Sequence, residues 1–276
     1  MSHDSVTPSS GTSGSGIFGR TNSVELTFDT SAALKNLGVL AHKALAIDDG
    51  ALMRFRTRDI EAPGQESTTV LSQVWVKTPF GPLATRTLPL TANPDDVIVS
   101  ASDVKEIAVR AFAQAKSSDD AEADQAPVTA LPYRIPAQSS AGWPGFLPVL
   151  DGWEVVDYVP ATAFRTLEKQ ARAVATESSG PLGLPTSLLD QKVLSVTGAG
   201  VGAVAGAGAA AAQASASEVD VTMRDVFALC SMGFIPESPD EREPVRVSAK
   251  GRWHRLDGRF GSVFTMESFG VLPIVG

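Results

Sequence analysis

Residues 117–145 break the apolar periodicity of this chain, and that break limits what it can fold into. "SSDDAEADQAP" is acidic and polar, and "LPYRIPAQSSAGWPG" is dense in proline and small side chains. Neither stretch carries enough apolar area to order a core of its own. The expectation is two compact halves, residues 24–116 and 146–276, joined by an acidic, proline-rich linker at 117–145 on which Trp143 docks against a neighbour. A chain of 276 residues is long enough for two ordinary domains. Residues 1–23 are rich in Ser, Gly and Thr and lack the apolar core of a secretory signal, so they read as a disordered tail.

In the first half, "VELTF" alternates as a short strand from Val24 to Phe28. "DTSAALKNLGVLAHKALA" then sets Leu34, Leu37, Ala41, Ala44 and Leu45 at helical spacing behind Asp29 or Thr30 as cap. His42 falls at the border of that helix. "ALMRFRTRD", "TTVLSQVWVKT" and "LATRTLPL", punctuated by Pro79, Gly81 and Pro82, alternate as an antiparallel meander, and "DVIVS" adds a strand. A second helix follows, with Ser102 at the capping position and a stripe of Val104, Ile107, Ala108, Ala111, Phe112 and Ala115.

The second half opens with the strand "GWEVVDYVP" and a helix over 161–175 whose apolar face is Phe164, Leu167, Ala171 and Val174, with Pro160 suited to its first turn. "VTMRDVFALCSMGF" is a helix with Thr222 and Asp225 in capping-box positions, a stripe of Met223, Val226, Phe227 and Cys230, and Gly233 as its stop. Cys230 on that stripe reads as a small core residue. The last stretch, "PVRVSAKGRWHRLDGRFGSVFTMES", alternates as strands with a tight turn at Asp257 and Gly258. The fold class expected is therefore α+β, each half with a mainly antiparallel sheet and packed amphipathic helices.

The segments "GWEVVDYVP", "LLDQKVLSVTG", "VTMRDVFALCSMGFIP" and "GRWHRLDGRFGSVF", with "SQVWVKTPFGPLATR" from the first half, resemble an uncharacterised actinobacterial protein family that has no assigned activity. The resemblance stops at Val196 or Thr197 and resumes near Val219. It implies that the Ala/Gly-rich stretch 198–217 is an insertion between one strand and the strand leading into the Thr222 helix. "VELTFDTSAALKNLG" is also similar, over that short segment, to the opening of the secretion-associated chaperones of actinobacterial type VII systems.

The insertion, "VLSVTGAGVGAVAGAGAAAAQASASEVDV" with its flanks, admits three readings. Gly198, Gly200 and Ala203 match the GxGxxA pattern after the apolar strand "KVLSV", with Glu218 or Asp220 about twenty residues on where an NAD(P) ribose acid would sit. The helix that pattern requires would contain Gly202, Gly206 and Gly208, each costing about 1 kcal/mol against alanine, and no succession of βαβ units follows. A membrane span is the second reading, but Val193, Leu194, Val196, Val201 and Val204 are its only large apolar residues. The third and favoured reading is a low-complexity loop, because tiny side chains bury little area and ordered glycine is entropically costly. No cofactor is expected on that reading.

A net charge of -8 disfavours broad binding to nucleic acid or anionic lipid. Against that background Arg246, Lys250, Arg252, Arg255 and Arg259 concentrate positive charge in the terminal strands, interleaved with Trp253, His254 and Phe260 and opposed locally by Asp257. They form the candidate surface for a protein or anionic partner. A helix followed by two strands also admits a winged-helix DNA binder. The single cysteine excludes an intrachain disulfide and a multi-cysteine metal site, and suits a reducing, cytoplasmic setting. His3, His42 and His254 show no metal-ligand spacing, and neither a GxSxG elbow nor a P-loop lysine motif is present. No residue is assigned a catalytic role, so a non-catalytic binding protein is the leading expectation and an NAD(P)-dependent oxidoreductase the alternative.

Overall fold

The computed structural model describes residues 23–61, 68–115, 132–143, 145–178, 185–198 and 218–267. Both halves of the chain send four strands into one antiparallel sheet of eight. The first half contributes β2 (Leu52–Glu61), β3 (Thr68–Lys77), β4 (Leu83–Leu88) and β6 (Asp96–Ser100); the second contributes β8 (Glu154–Pro160), β11 (Pro244–Lys250), β12 (Trp253–Gly258) and β13 (Gly261–Met266). Their order is β6-β2-β3-β4-β13-β12-β11-β8. The halves meet where β4 pairs β13, with Leu83 opposite Phe264, Ala84 opposite Val263 and Thr85 opposite Ser262.

A second sheet has the order β5-β1-β7, made of β1 (Ser23–Phe28), β5 (Leu90–Asn93) and β7 (Tyr133–Pro136). β7 thus lies inside the stretch 117–145 and hydrogen-bonds to β1, with Val24 opposite Ile135. The third sheet is the hairpin of β9 (Lys192–Thr197) and β10 (Glu218–Thr222). The fold is α+β, as its alternating strands and amphipathic helices imply.

Alternation sorts the large sheet into two faces. The inner side chains, including Phe55, Val74, Val76, Val247, Leu256 and Val263, join one apolar core with α1 (Ser31–Ile47), α2 (Ala101–Ala115), α3 (Ala161–Ser178), the short α4 (Thr186–Leu189) and α5 (Met223–Ser231). Thr30 caps α1, its side chain accepting from Ala33 N, and His42 is exposed. At α2 the Ser100 hydroxyl accepts from Ser102 N at 3.2 Å, so the capping role expected of Ser102 falls two residues earlier. On α3, Ala175 is buried whereas Val174 is 52% exposed, a one-residue rotation of the expected stripe.

The outer face carries a smaller cluster. Trp75, Ile98, Trp143 and Phe264 are buried there, with Leu147, Leu150 and Trp153 packed against them. Residues 138–143 and 145–153 therefore cross the outer face of the sheet: Gln138 N donates to Ile98 O at 2.7 Å, and the Trp153 ring lies 5.3 Å from Phe264, edge to face. Trp143 supplies the docking contact expected of it.

Candidate functional site

The β12–β13 hairpin organises the polar chemistry of the molecule, with a cleft at each end. Its turn differs from the expected one. Gly258 pairs with Gly261, so the strands run past Asp257 and the bend is made by Arg259 and Phe260. The cause is Phe234. A Cβ at Gly258 would lie 2.6 Å from Phe234 O, and one at Gly261 would lie 2.5 Å from the Phe234 ring and 2.7 Å from Thr85 O. Only glycine lets both strands continue under that contact.

At the open end of the hairpin is a cleft of about 750 Å³, placed where the two halves meet. Phe80 and Leu83 come from the first half, Trp253 and Phe264 from the second, and Trp143 from the crossing segment. Phe146 and Met266 stand at the rim, 91% and 52% exposed. Charges of both signs surround this apolar interior: Lys77, Lys192 and Arg224 with Asp190, Asp220 and Glu267. Lys192 hydrogen-bonds Asp220 and holds that carboxyl below its ordinary range.

Arg224, on the first turn of α5, ties the walls together. Its Nε donates to Asp190 Oδ1 at 2.7 Å and its Nη1 to Phe80 O at 2.6 Å, so one side chain joins the 78–82 turn to the second half. Gly81, with φ +111, gives that turn its shape.

Behind the cleft wall is a buried ionisable pair. Asp225 is fully buried and His254 is 3% exposed, with His254 Nε2 at 3.2 Å from Asp225 Oδ1. The contact is close but not aligned as a hydrogen bond, and neither imidazole nitrogen has a hydrogen-bond partner among the described residues. The Asp225 carboxylate accepts from Thr222 N and Thr222 Oγ1, both at 2.8 Å, and from the Thr265 hydroxyl. Burial by itself would raise the Asp225 carboxyl; the His254 imidazole, the Thr265 hydroxyl and the Thr222 N–H outweigh it and hold the group below its ordinary range. The hydroxyls at the pair, Thr222 and Thr265, donate to the carboxylate and not to His254, so among the described residues the pair has no hydroxyl set against the imidazole as a triad nucleophile would be.

The expected capping box at Thr222 and Asp225 is present, but capping is half of what Asp225 does. Its second partner, His254, could have been placed inward from alternation alone, since it shares a strand face with buried Leu256. Which helix His254 would meet required the fold. Cys230 is 4% exposed, and burial, with Glu168 nearby, pushes its thiol well above the usual range, in keeping with a core residue.

The five basic residues of the terminal strands separate. Arg246 and Arg255 both turn to Asp257, with Nε–Oδ distances of 2.9 and 2.5 Å, and Arg259 lies 3.9 Å from Glu243. These three line a second cleft, at the turn end of the hairpin, together with Arg86. Lys250 instead donates to Asp151 O and Arg252 to Glu267 O.

The dinucleotide reading fails on topology. β9, which precedes Gly198, pairs antiparallel with β10, Thr197 opposite Glu218, in a sheet of two strands. Among the described residues β9 has no parallel neighbour to form the crevice that a dinucleotide loop needs. A Cβ at Gly198 would lie 3.1 Å from Val156 O, so that glycine serves strand packing; Gly200 and Ala203 lie outside the described residues. The same hairpin pairs the strands that flank residues 199–217, which lie outside the described residues. The winged-helix reading fails on burial, because α5 is buried along its length apart from the partly exposed Arg224 and Ser231 and offers no free recognition face. Among the described residues no helix is long and apolar enough to cross a membrane, and no group of three His, Cys, Asp or Glu could hold a metal ion.

Two family models match the chain, both of unknown function: DUF8010 over residues 21–132 and DUF8185 over residues 148–269. No curated protein matches it. Among solved structures it is similar to one from Eubacterium rectale described as a "Putative DNA polymerase III beta subunit", at 12% identity and a TM-score of 0.45, covering 90% of this chain and 66% of that one. The chain spans just under two thirds of that protein's length, and a likeness at this level says nothing of function.

Proposed function

We propose that this chain, whose two halves match domains of unknown function, is a non-catalytic binding protein that seats a peptide segment of a protein partner in the cleft between the halves. One observation carries the reading: an apolar cleft of about 750 Å³ opens beside exposed Phe146 and Met266 and is ringed by charges of both signs. An apolar centre with a polar rim is the anatomy of a protein interface, and exposed apolar side chains beside a concavity mark where a partner covers them. The expected occupant carries one large aromatic or aliphatic side chain flanked by charged residues. The terminal strands β12 and β13 supply much of the surface, through Trp253, Phe264 and Met266. The lone buried cysteine suits action in the cytoplasm.

Selection of displayed 12-residue peptides against the whole protein tests this. Enriched peptides are expected to share a large apolar anchor and to bind at least tenfold more weakly, a loss of about 1.4 kcal/mol, to Trp253→Ala and to Phe146→Ala. Phe146 is exposed, so its removal leaves the fold intact. Selected peptides that bind both variants as well as the parent protein would refute the reading.

A further inference from the structure

The cleft at the turn end of β12–β13 also draws residues from both halves, but its chemistry differs from that of the cleft at the open end. Its volume is about 530 Å³, and Arg86, Arg246, Arg255 and Arg259 line it against a single lining carboxylate, Asp257. Asp257 is shared. Its Oδ2 receives Arg246, with Nη2 at 2.8 Å, while its Oδ1 receives Arg255 Nε and the Ser262 hydroxyl. One negative charge therefore answers two guanidinium groups.

Arg259 is 65% exposed and stands 3.9 Å from Glu243, a contact that solvent weakens. Arg86 has no carboxylate partner among the described residues. Its Nε donates to Phe260 O at 2.5 Å and its Nη1 lies 3.4 Å from Asn36 Oδ1, so it is held in place by neutral acceptors. Burial lowers the Arg86 pKa from arginine's ordinary value, the mark of a cation stripped of water without a counter-charge. A concave excess of positive charge, in a molecule of net charge -8, is not what a merely solvated sheet face presents.

We propose that this cleft is a binding site for a phosphate-type oxyanion, with Arg86 as its fixed anchor and Arg255 and Arg259 closing on the remaining oxygens. Guanidinium groups present paired N–H donors that match such an anion. A dianion fits better than a single carboxylate because four arginines face one aspartate. The four guanidinium groups line one cleft of about 530 Å³, a local cluster that suits a small anion rather than the successive phosphates of a duplex.

Titration of the full chain with sodium pyrophosphate at constant ionic strength, followed through the arginine Nε–H resonances, tests the site. Saturable shifts of Arg86 and Arg255 are expected, weakened at least tenfold in Arg259→Gln. Because Arg259 is exposed and makes one long ion pair, that variant folds even if Arg86→Gln does not. Parallel titrations with inorganic phosphate and with a phosphoserine peptide distinguish a free anion from one carried on a ligand, and saturation by either supports the site. Shifts that rise linearly without saturating, equal affinity in Arg259→Gln, or displacement of pyrophosphate by a short DNA duplex would each overturn it.

Discussion

Asp225 has four polar partners and no exposure, which makes it the residue whose loss should be felt most. Asp225→Asn replaces an acceptor oxygen by an amide that meets the Thr222 N–H and the Thr222 and Thr265 hydroxyls in a fully buried site, so it is expected to cost about 3 kcal/mol at pH 7. The folded carboxyl lies below its unfolded value of about 3.9, so its contribution is present above that pH and lost as pH falls through the folded pKa. The gap in stability between parent and Asp225→Asn should therefore be widest near neutrality and narrow below about pH 4, as read by urea unfolding at a series of pH values. A gap independent of pH would mean that the carboxyl is not held down. Gly261 gives a steric counterpart. Its Cβ position is 2.5 Å from Phe234 and 2.7 Å from Thr85 O, whereas nothing lies within 4 Å of that of Gly251, where φ is +58. Gly251→Ala should cost about 1 kcal/mol through backbone strain alone. Gly261→Ala should cost about 3 kcal/mol, because neither the ring nor the carbonyl can withdraw cheaply. Equal losses in thermal unfolding would show that Phe234 yields.

α5 shows how much an element's own sequence can say. Its start is written in Thr222 and Asp225, and its stop in Gly233, where φ is +68, Phe234 N donates to Leu229 O and Gly233 N to Cys230 O. Gly233→Ala is expected to cost about 1 kcal/mol, and the α5 amides should be among the slowest to exchange with deuterium, since Val226 to Leu229 are fully buried. Fast exchange there would contradict the placement of α5 in the core. The strands were legible for the same reason: alternation in "ALMRFRTRD" and "TTVLSQVWVKT" reflects one face on the core and one outward. What alternation could not supply was pairing. The basic residues of β11 and β12 share a segment of sequence, yet Arg246 and Arg255 meet at Asp257 while Lys250 and Arg252 turn to backbone carbonyls some distance along the strands. Arg86, distant in sequence, completes their cleft through its bond to Phe260 O. Long-range contacts of this kind leave no trace in local spacing.

Over the whole molecule, the seam between the halves carries both structure and site. Leu83 opposite Phe264 continues one sheet through it, Arg224 bonds across it, and the Phe80 and Phe227 rings meet across it, tilted, with centroids 5.7 Å apart. A core shared in this way should unfold in a single transition. Tryptophan fluorescence and far-ultraviolet circular dichroism are expected to give coincident urea curves, and Phe264→Ala, costing about 3 kcal/mol, should move both together. Two separated transitions would show the halves to be independent. The same seam places Trp143 and Trp253 in the cleft and leaves Trp75 beneath the outer face. Indole N–H resonances of the four tryptophans, recorded while a selected peptide is titrated in, therefore test the account most directly. Saturable shifts of Trp143 and Trp253 are predicted, with Trp75 unmoved. Tight binding that leaves Trp143 and Trp253 where they were would contradict it.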